Sequence, residues 1–130
     1  MAIEVGAKGV ATLMVGHEHL ASSFKDALLP PVFATPMMVR LMENAALNAI
    51  RSQFGPHESS VGTAITLHHL AATPEGMRVR AEAEVTAVNG RRITFAVTAY
   101  DEVEMIGRGT HERMMIDLTR FATRLTEKAK

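Results

Sequence analysis

The sequence has no cysteine and no tryptophan, only six aromatic residues in the form of five Phe and one Tyr, and no excess charge of either sign. The missing cysteine excludes a disulfide framework, a thiolate zinc site and a catalytic thiol. With 14 basic against 14 acidic residues, no global field draws the chain to nucleic acid or an anionic membrane, and neither is an expected partner. No stretch approaches the roughly 20 apolar residues of a membrane helix. The opening MAIEVGAKGV has no basic lead before a long apolar run, so the cytoplasm is the expected compartment. At 130 residues the expectation is a single domain, 1–130, with one modest core. Nine methionines suit an adaptable interior, because the unbranched thioether fills irregular gaps. No internal repeat or low-complexity tract is present.

What is there is organised around Val32 to Gln53, a predicted helix. Thr35 has the side chain of an N-cap, and Pro36 then falls at the first helical position, where its missing N–H costs nothing. At about 100° per residue, Met38, Leu41, Met42, Ala45 and Ala49 gather on one face, with Val39, Ala46 and Ile50 extending one flank. Arg40, Asn44, Asn48 and Arg51 lie opposite and are expected in water. Gly55-Pro56 ends the element. Glu43 breaks the pattern, since Val39, Ala46 and Ile50 are its helical neighbours. A carboxylate on that edge is partly desolvated, which disfavours its charge unless a cation or donor compensates. Either it prepares a base or nucleophile, or it snorkels to water as a boundary residue.

Before the helix, Val10 to Val15 reads as a strand closed by Gly16. His17-Glu18-His19 has the spacing of a metal chelate but no third clear ligand, so surface histidines are the better reading and no metal is expected. Ser22 to Pro31 is a connection with a short helical turn at Phe24 to Leu29. After the helix, Ser60 to Thr73 reads as a strand that sets Val61, Thr63, Ile65, Leu67 and His69 on one face and His68 on the other. Pro74-Glu75-Gly76 is a turn. Met77 to Val88 and Arg92 to Asp101 form a hairpin around Asn89-Gly90, with Met77, Val79, Ala81, Ala83, Val85, Ile93, Phe95, Val97 and Ala99 inward. Val103 to Leu118 is a final strand in which Gly107 and Gly109 mark a bulge or a close backbone approach. Thr119 to Lys130 is a frayed helical tail.

One strand, one long helix and four further antiparallel strands give an α+β fold whose sheet must be covered by that helix. Exposed sheet edges are then protected by pairing with a second copy, so a homodimer is expected.

Three ordered blocks carry a resemblance. VFATPMMVRLMENA is similar to the VFAT–LME segment of the fluoroacetyl-CoA thioesterase family, SVGTAITLHHLAATPEG to its GTAI–H–AATP segment, and EMIGRGTHERMMI to its IGxGTHER strand. Together they span about Pro31 to Leu118. The resemblance implies a hot-dog fold, an antiparallel sheet wrapped around one central helix, and an acyl-CoA thioesterase that needs no cofactor. It carries the family's catalytic threonine, glutamate and histidine onto Thr35, Glu43 and His69, its pocket-lining glycine onto Gly62, and its substrate-binding arginine onto Arg113. Pro36 stands where the family has glycine, and SSFKDALLPP lacks its more aromatic, acidic run, so the implied substrate is a short or medium acyl-CoA and not fluoroacetyl-CoA in particular. Arg91, Arg92, Arg120 and Arg124 are as readily solvated charges as contacts for CoA.

Thioester hydrolysis needs a nucleophile, a proton acceptor and donors aimed at the oxyanion. Glu43 would attack the carbonyl or activate water, His69 would move the proton, and Thr35 would position one of them or the carbonyl. On a straight helix Thr35 and Glu43 stand about 12 Å apart along the axis, so either the cap residue folds back or the site closes across a dimer seam. The rival is a non-catalytic acyl-CoA-binding module, which has no need of an acid/base set. A hydratase is disfavoured because the helix carries no histidine.

Overall fold

The computed structural model describes residues 3–130. Its strands are β1 (Lys8–Met14), β2 (Glu58–His69), β3 (Arg78–Asn89), β4 (Arg92–Tyr100) and β5 (Met105–Asp117). Its helices are α1 (Ala21–Phe24), α2 (Thr35–Ile50) and α3 (Leu118–Lys128). The strands form one antiparallel sheet in the order β1-β3-β4-β5-β2. The curled sheet holds α2 against one face, as expected.

The helix face read from the sequence is buried: Met38, Leu41, Met42, Ala45, Ala46, Ala49 and Ile50, joined by Met37, while Val39 is only half-buried. Small side chains let the helix press onto β1. A Cβ at Gly9 would strike the Ala45 carbonyl and the Ala49 backbone, and Asn48 Nδ2 donates to the Val10 carbonyl at 2.9 Å. From the other strands, Val79, Ala81, Ala83, Val85, Ile93, Phe95, Val97 and Ala99 complete the core, while Met77 is half-buried. Met38 packs where Gly107 has no side chain; trimming so buried a methionine to alanine costs about 2–5 kcal/mol. The close-approach reading of Gly107 therefore holds. It holds for Gly109 too, whose Cβ would meet the Thr66 carbonyl.

Several boundaries differ from the sequence reading. The first cap is Ala34, and Thr35 is already helical with no cap bond; its hydroxyl is engaged elsewhere, as described below. The short helix α1 ends at Phe24, and the expected turn of helix beyond it is only a bend in which Leu29 N–H donates to the Asp26 carbonyl at 3.0 Å. Asn89 pairs with Arg92, so the hairpin loop is Gly90-Arg91, with Gly90 at φ 63° supplying the backbone that such a turn demands. The tail is a regular helix capped by Asp117, whose carboxylate accepts from Arg120 N–H at 3.0 Å.

The largest departure is in β2. The register slips between Gly62 and Ala64, a bulge that reverses the faces. Beyond it Ile65, Leu67 and His69 share the helix side, opposite His111, Gly109 and Gly107 of β5. Before it Ser60 and Gly62 hold that side, opposite Met115 and Arg113. Val61 and Thr63 therefore point the other way, because simple alternation cannot count an extra residue.

Candidate active site

Strand β2 ends at His69, four residues before the expected Thr73. The next segment crosses to the chain entering α2: Leu70 N–H still donates to the Ile106 carbonyl at 2.7 Å, but Phe33 N–H donates to the Thr73 carbonyl at 2.8 Å and Val32 bridges to Pro74. That crossing brings the start of α2 onto the end of β2. Thr35 Oγ1 and His69 Nδ1 share a hydrogen bond of 2.7 Å. His69 Nε2 is shielded from solvent and has no hydrogen-bond partner among the described residues. Burial lowers the pKa of His69, against a smaller opposing pull from the Ala71 backbone, so the ring is neutral at pH 7 and able to take up a proton. The pair opens onto a groove of about 380 Å³ lined by Ala21, Val32, Phe33, Leu70 and Ala71 among others.

The second cluster forms where α2 passes over the bulge of β2. Glu43 Oε2 lies 3.8 Å from Arg113 Nη1, with 40% of the glutamate side chain and 10% of the arginine side chain exposed. This guanidinium is the compensating cation that a half-desolvated carboxylate requires. Gly62 leaves the carboxylate its room: a Cβ there would stand 2.7 Å from Glu43 Oε2 and 3.5 Å from Arg113 Nη1. Arg113 is itself nearly buried and is tied down on its other side, Nε donating to Ser60 Oγ at 2.8 Å and Nη2 to the Ser60 carbonyl at 3.2 Å. Its Nη1 also reaches His111 Nε2 at 3.3 Å.

Of the five site residues read from the sequence, the fold thus joins Thr35 to His69 and Glu43 to Gly62 and Arg113. It does not join the two groups. Glu43 lies eight positions after Thr35, about 12 Å of helix, and His69 seven positions after Gly62, about 20 Å of strand. Ser60 and His111 were missed. His111 had a readable signal, since it alternates with Gly107, Gly109 and Arg113 on one face of β5. Ser60 had none, because its inward side depends on the bulge. His17 and His19 serve local structure: His19 Nδ1 accepts from Gly16 N–H at 2.9 Å, and His17 Nε2 bonds Ser23 Oγ at 3.0 Å. Arg91, Arg120 and Arg124 line one groove with Phe121, and Arg92 lies 3.8 Å from Glu112.

A sheet curled around one long helix has clear counterparts. A hot-dog-like protein from Thermanaerovibrio acidaminovorans superposes with a TM-score of 0.87 at 21% identity, covering 97% of this chain and 93% of that one. The architecture is therefore the hot-dog fold. The fluoroacetyl-CoA thioesterase FlK superposes with a TM-score of 0.91 at 38% identity over 98% of both chains. In sequence, a fluoroacetyl-CoA thioesterase from Streptantibioticus cattleyicolor is 47% identical over 102 residues, 78% of this chain and 73% of that protein. The family model for the fluoroacetyl-CoA-specific thioesterase matches residues 15–119. The chain belongs to this family and is a thioester hydrolase. Among the described residues, no helix is long and apolar enough to cross a membrane.

Proposed function

We propose that this protein hydrolyses short or medium acyl-CoA thioesters in the cytoplasm, as a homodimer in which Glu43 of one protomer works with Thr35 and His69 of its partner. One observation carries the reading: the hydroxyl–imidazole pair and the carboxylate that the chemistry needs are both built, but stand apart within a protomer along the same strand. That strand, β2, is an edge of the sheet. The inner face beside it is also thinly covered, because α2 packs chiefly on β1 and β3 and leaves Ile65 and Leu67 half-buried. Pairing two β2 edges antiparallel completes the sheet and removes the open edge. A two-fold axis passing at Thr66, with the extra residue of the bulge left unpaired, sets Gly62, with Glu43 above it, opposite the partner's His69.

In such a site Glu43 either takes the proton of a water that attacks the thioester carbonyl carbon, or attacks that carbon itself to give an anhydride that water then opens. Arg113 stands beside the carboxylate at the acyl group, and Gly62 leaves both of them space. As the tetrahedral intermediate collapses the carbon–sulfur bond breaks; the neutral His69, held by Thr35, takes up the proton that the attacking water gives up and then passes it to the thiolate, which balances the hydrolysis in either route. Free acid and CoA result. The test is thiol release from a panel of acyl-CoAs, acetyl through octanoyl, palmitoyl and phenylacetyl, with fluoroacetyl included. Turnover concentrated in the short and medium members supports the proposal. Turnover of only long or aromatic ones overturns the acyl class.

A further inference from the structure

Thr35, Glu43, His69, Gly62 and Arg113 leave one buried ionisable side chain of the second cluster without a role. His111 is 1% exposed, lies on the helix side of β5, and stacks on Phe95 of β4 with ring centroids 5.8 Å apart and planes 26° from parallel. A core position of this kind suits a phenylalanine at less cost than an imidazole, since a buried polar ring must find partners for both nitrogens. Both are found. Nδ1 lies 2.8 Å from the Ala64 carbonyl, which only accepts, so Nδ1 carries the proton. Nε2 is thereby left as a lone pair, and it faces Arg113 Nη1 at 3.3 Å, which only donates. The carbonyl belongs to the first residue after the β2 bulge, so the bulge that turns Gly62 toward Glu43 also fixes the tautomer of His111.

We infer that His111 is a positioning residue, which aims the Arg113 guanidinium at Glu43 by accepting from its Nη1 through a nitrogen that the β2 backbone holds unprotonated. The inference rests on the reading of Glu43 as the catalytic carboxylate. Ser60 takes Nε and, through its carbonyl, Nη2, and His111 takes one proton of Nη1, so the guanidinium is left one direction in which to offer the rest. That direction is Glu43 Oε2, the same oxygen that Gly62 makes room for. Only a neutral imidazole serves. Protonated, its Nε2 would present a second positive N–H to Arg113, and the groups near enough to matter are Arg113 and Glu112 on β5 and Glu43 on α2. Burial lowers the pKa of His111 first of all, the Ala64 backbone opposes, Arg113 lowers it further, and the two glutamates oppose; the net direction keeps the ring neutral.

The experiment pairs turnover with ring-nitrogen NMR. His111→Phe preserves the stacking on Phe95 but has no acceptor, whereas His111→Gln offers an amide oxygen in its place. The expectation is a loss of kcat of about 10- to 100-fold for His111→Phe, the scale of a displaced catalytic group, with KM little changed and a partial recovery in His111→Gln. Wild-type kcat in folded His111→Phe, or no recovery in His111→Gln, overturns the inference. Should His111→Phe fail to fold, Ser60→Ala removes the other side-chain acceptor of Arg113, and the same kcat loss is expected; wild-type kcat there overturns it equally. The nitrogen spectrum decides without turnover: Nδ1 protonated and Nε2 bare at neutral pH, with Arg113→Met shifting Nε2, supports the positioning, and a protonated Nε2 refutes it. Glu43→Gln in the same assay separates the two claims. Wild-type kcat in that variant removes the catalytic role of Glu43, while the nitrogen spectrum still decides what His111 holds.

Discussion

The hydroxyl of Thr35 and Nδ1 of His69 lie 2.7 Å apart, although 33 residues separate them in the chain and one opens a helix while the other closes a strand. Their contact follows from the crossing of Leu70 to Pro74 over Val32 and Phe33, so the imidazole is oriented by the fold before any substrate arrives. What the protomer does not do is bring Glu43 to them.

Because Thr35 bonds His69 and caps nothing, removing its hydroxyl is expected to separate activity from stability. Thr35→Ala should lower kcat by about 10²-fold, the scale of a lost acid/base contact. Its effect on unfolding should fall below the about 1 kcal/mol typical of a lost N-cap. Thr35→Ser keeps the oxygen and should keep most of the activity. Urea denaturation alongside steady-state kinetics checks both; a large stability loss with kcat retained would return Thr35 to the role of a cap.

Much of the fold was legible in the sequence, and the reasons are local. The helix stripe from Met38 to Ile50 and the alternation from Val79 to Ala99 repeat at the period of their elements with mostly polar residues between them, so burial could be read directly. The β2 bulge could not be read this way, because an extra residue in one strand shows only against its partner. That single slip moved Val61 and Thr63 to the outer face and concealed Ser60. Thr35 was misassigned for a related reason: a threonine before a proline has the chemistry of a cap, and only the crossing of a distant segment gives its hydroxyl a better partner. The family resemblance supplied Gly62 and Arg113, which periodicity alone did not single out. The pairing of Glu43 with Arg113 came from the structure.

Gly62 is expected to be intolerant of even one carbon. In Gly62→Ala the new Cβ falls 2.7 Å from Glu43 Oε2, and the movable atom is the end of a flexible side chain, so the carboxylate gives way and the sheet does not. The expected outcome is a kcat loss of about 10-fold or more shared across acyl-CoAs, at nearly unchanged melting temperature. Full activity in Gly62→Ala would mean that the position of this carboxylate is irrelevant to turnover.

Acid should weaken the fold in a defined window. His69 and His111 both have pKa values below the ordinary one, chiefly through burial, whereas in the unfolded chain they titrate near about 6.5. Below that pH the unfolded chain binds protons that the folded chain does not, and stability falls as pH drops. The decline continues until the lowered folded values are passed and then levels off. Urea unfolding from pH 8 downward measures it, and His111→Phe should flatten the slope. A stability that holds or rises on acidification through this window contradicts the neutral assignment of both rings.

The two-fold arrangement makes its own demand on size. Sedimentation velocity should give a stable dimer at micromolar concentration, and Leu67→Pro, beside the proposed axis, should weaken it, because the Leu67 N–H alternates with those that bond β5 and points to the free edge of β2, where a partner strand would use it. A wild-type monomer would contradict the shared site outright.

Complementation between two inactive chains tests the central claim most directly. Glu43→Ala and His69→Ala are made in separately tagged chains, co-expressed, and the mixed dimer is isolated through both tags. If Glu43 of one protomer works with Thr35 and His69 of its partner, one of the two sites in the mixed dimer carries both lesions and the other carries none. About half of the wild-type kcat per dimer should then return, from parents that each lack about 10²-fold or more. A mixed dimer as inactive as its parents would contradict the shared site and confine catalysis to residues of a single chain.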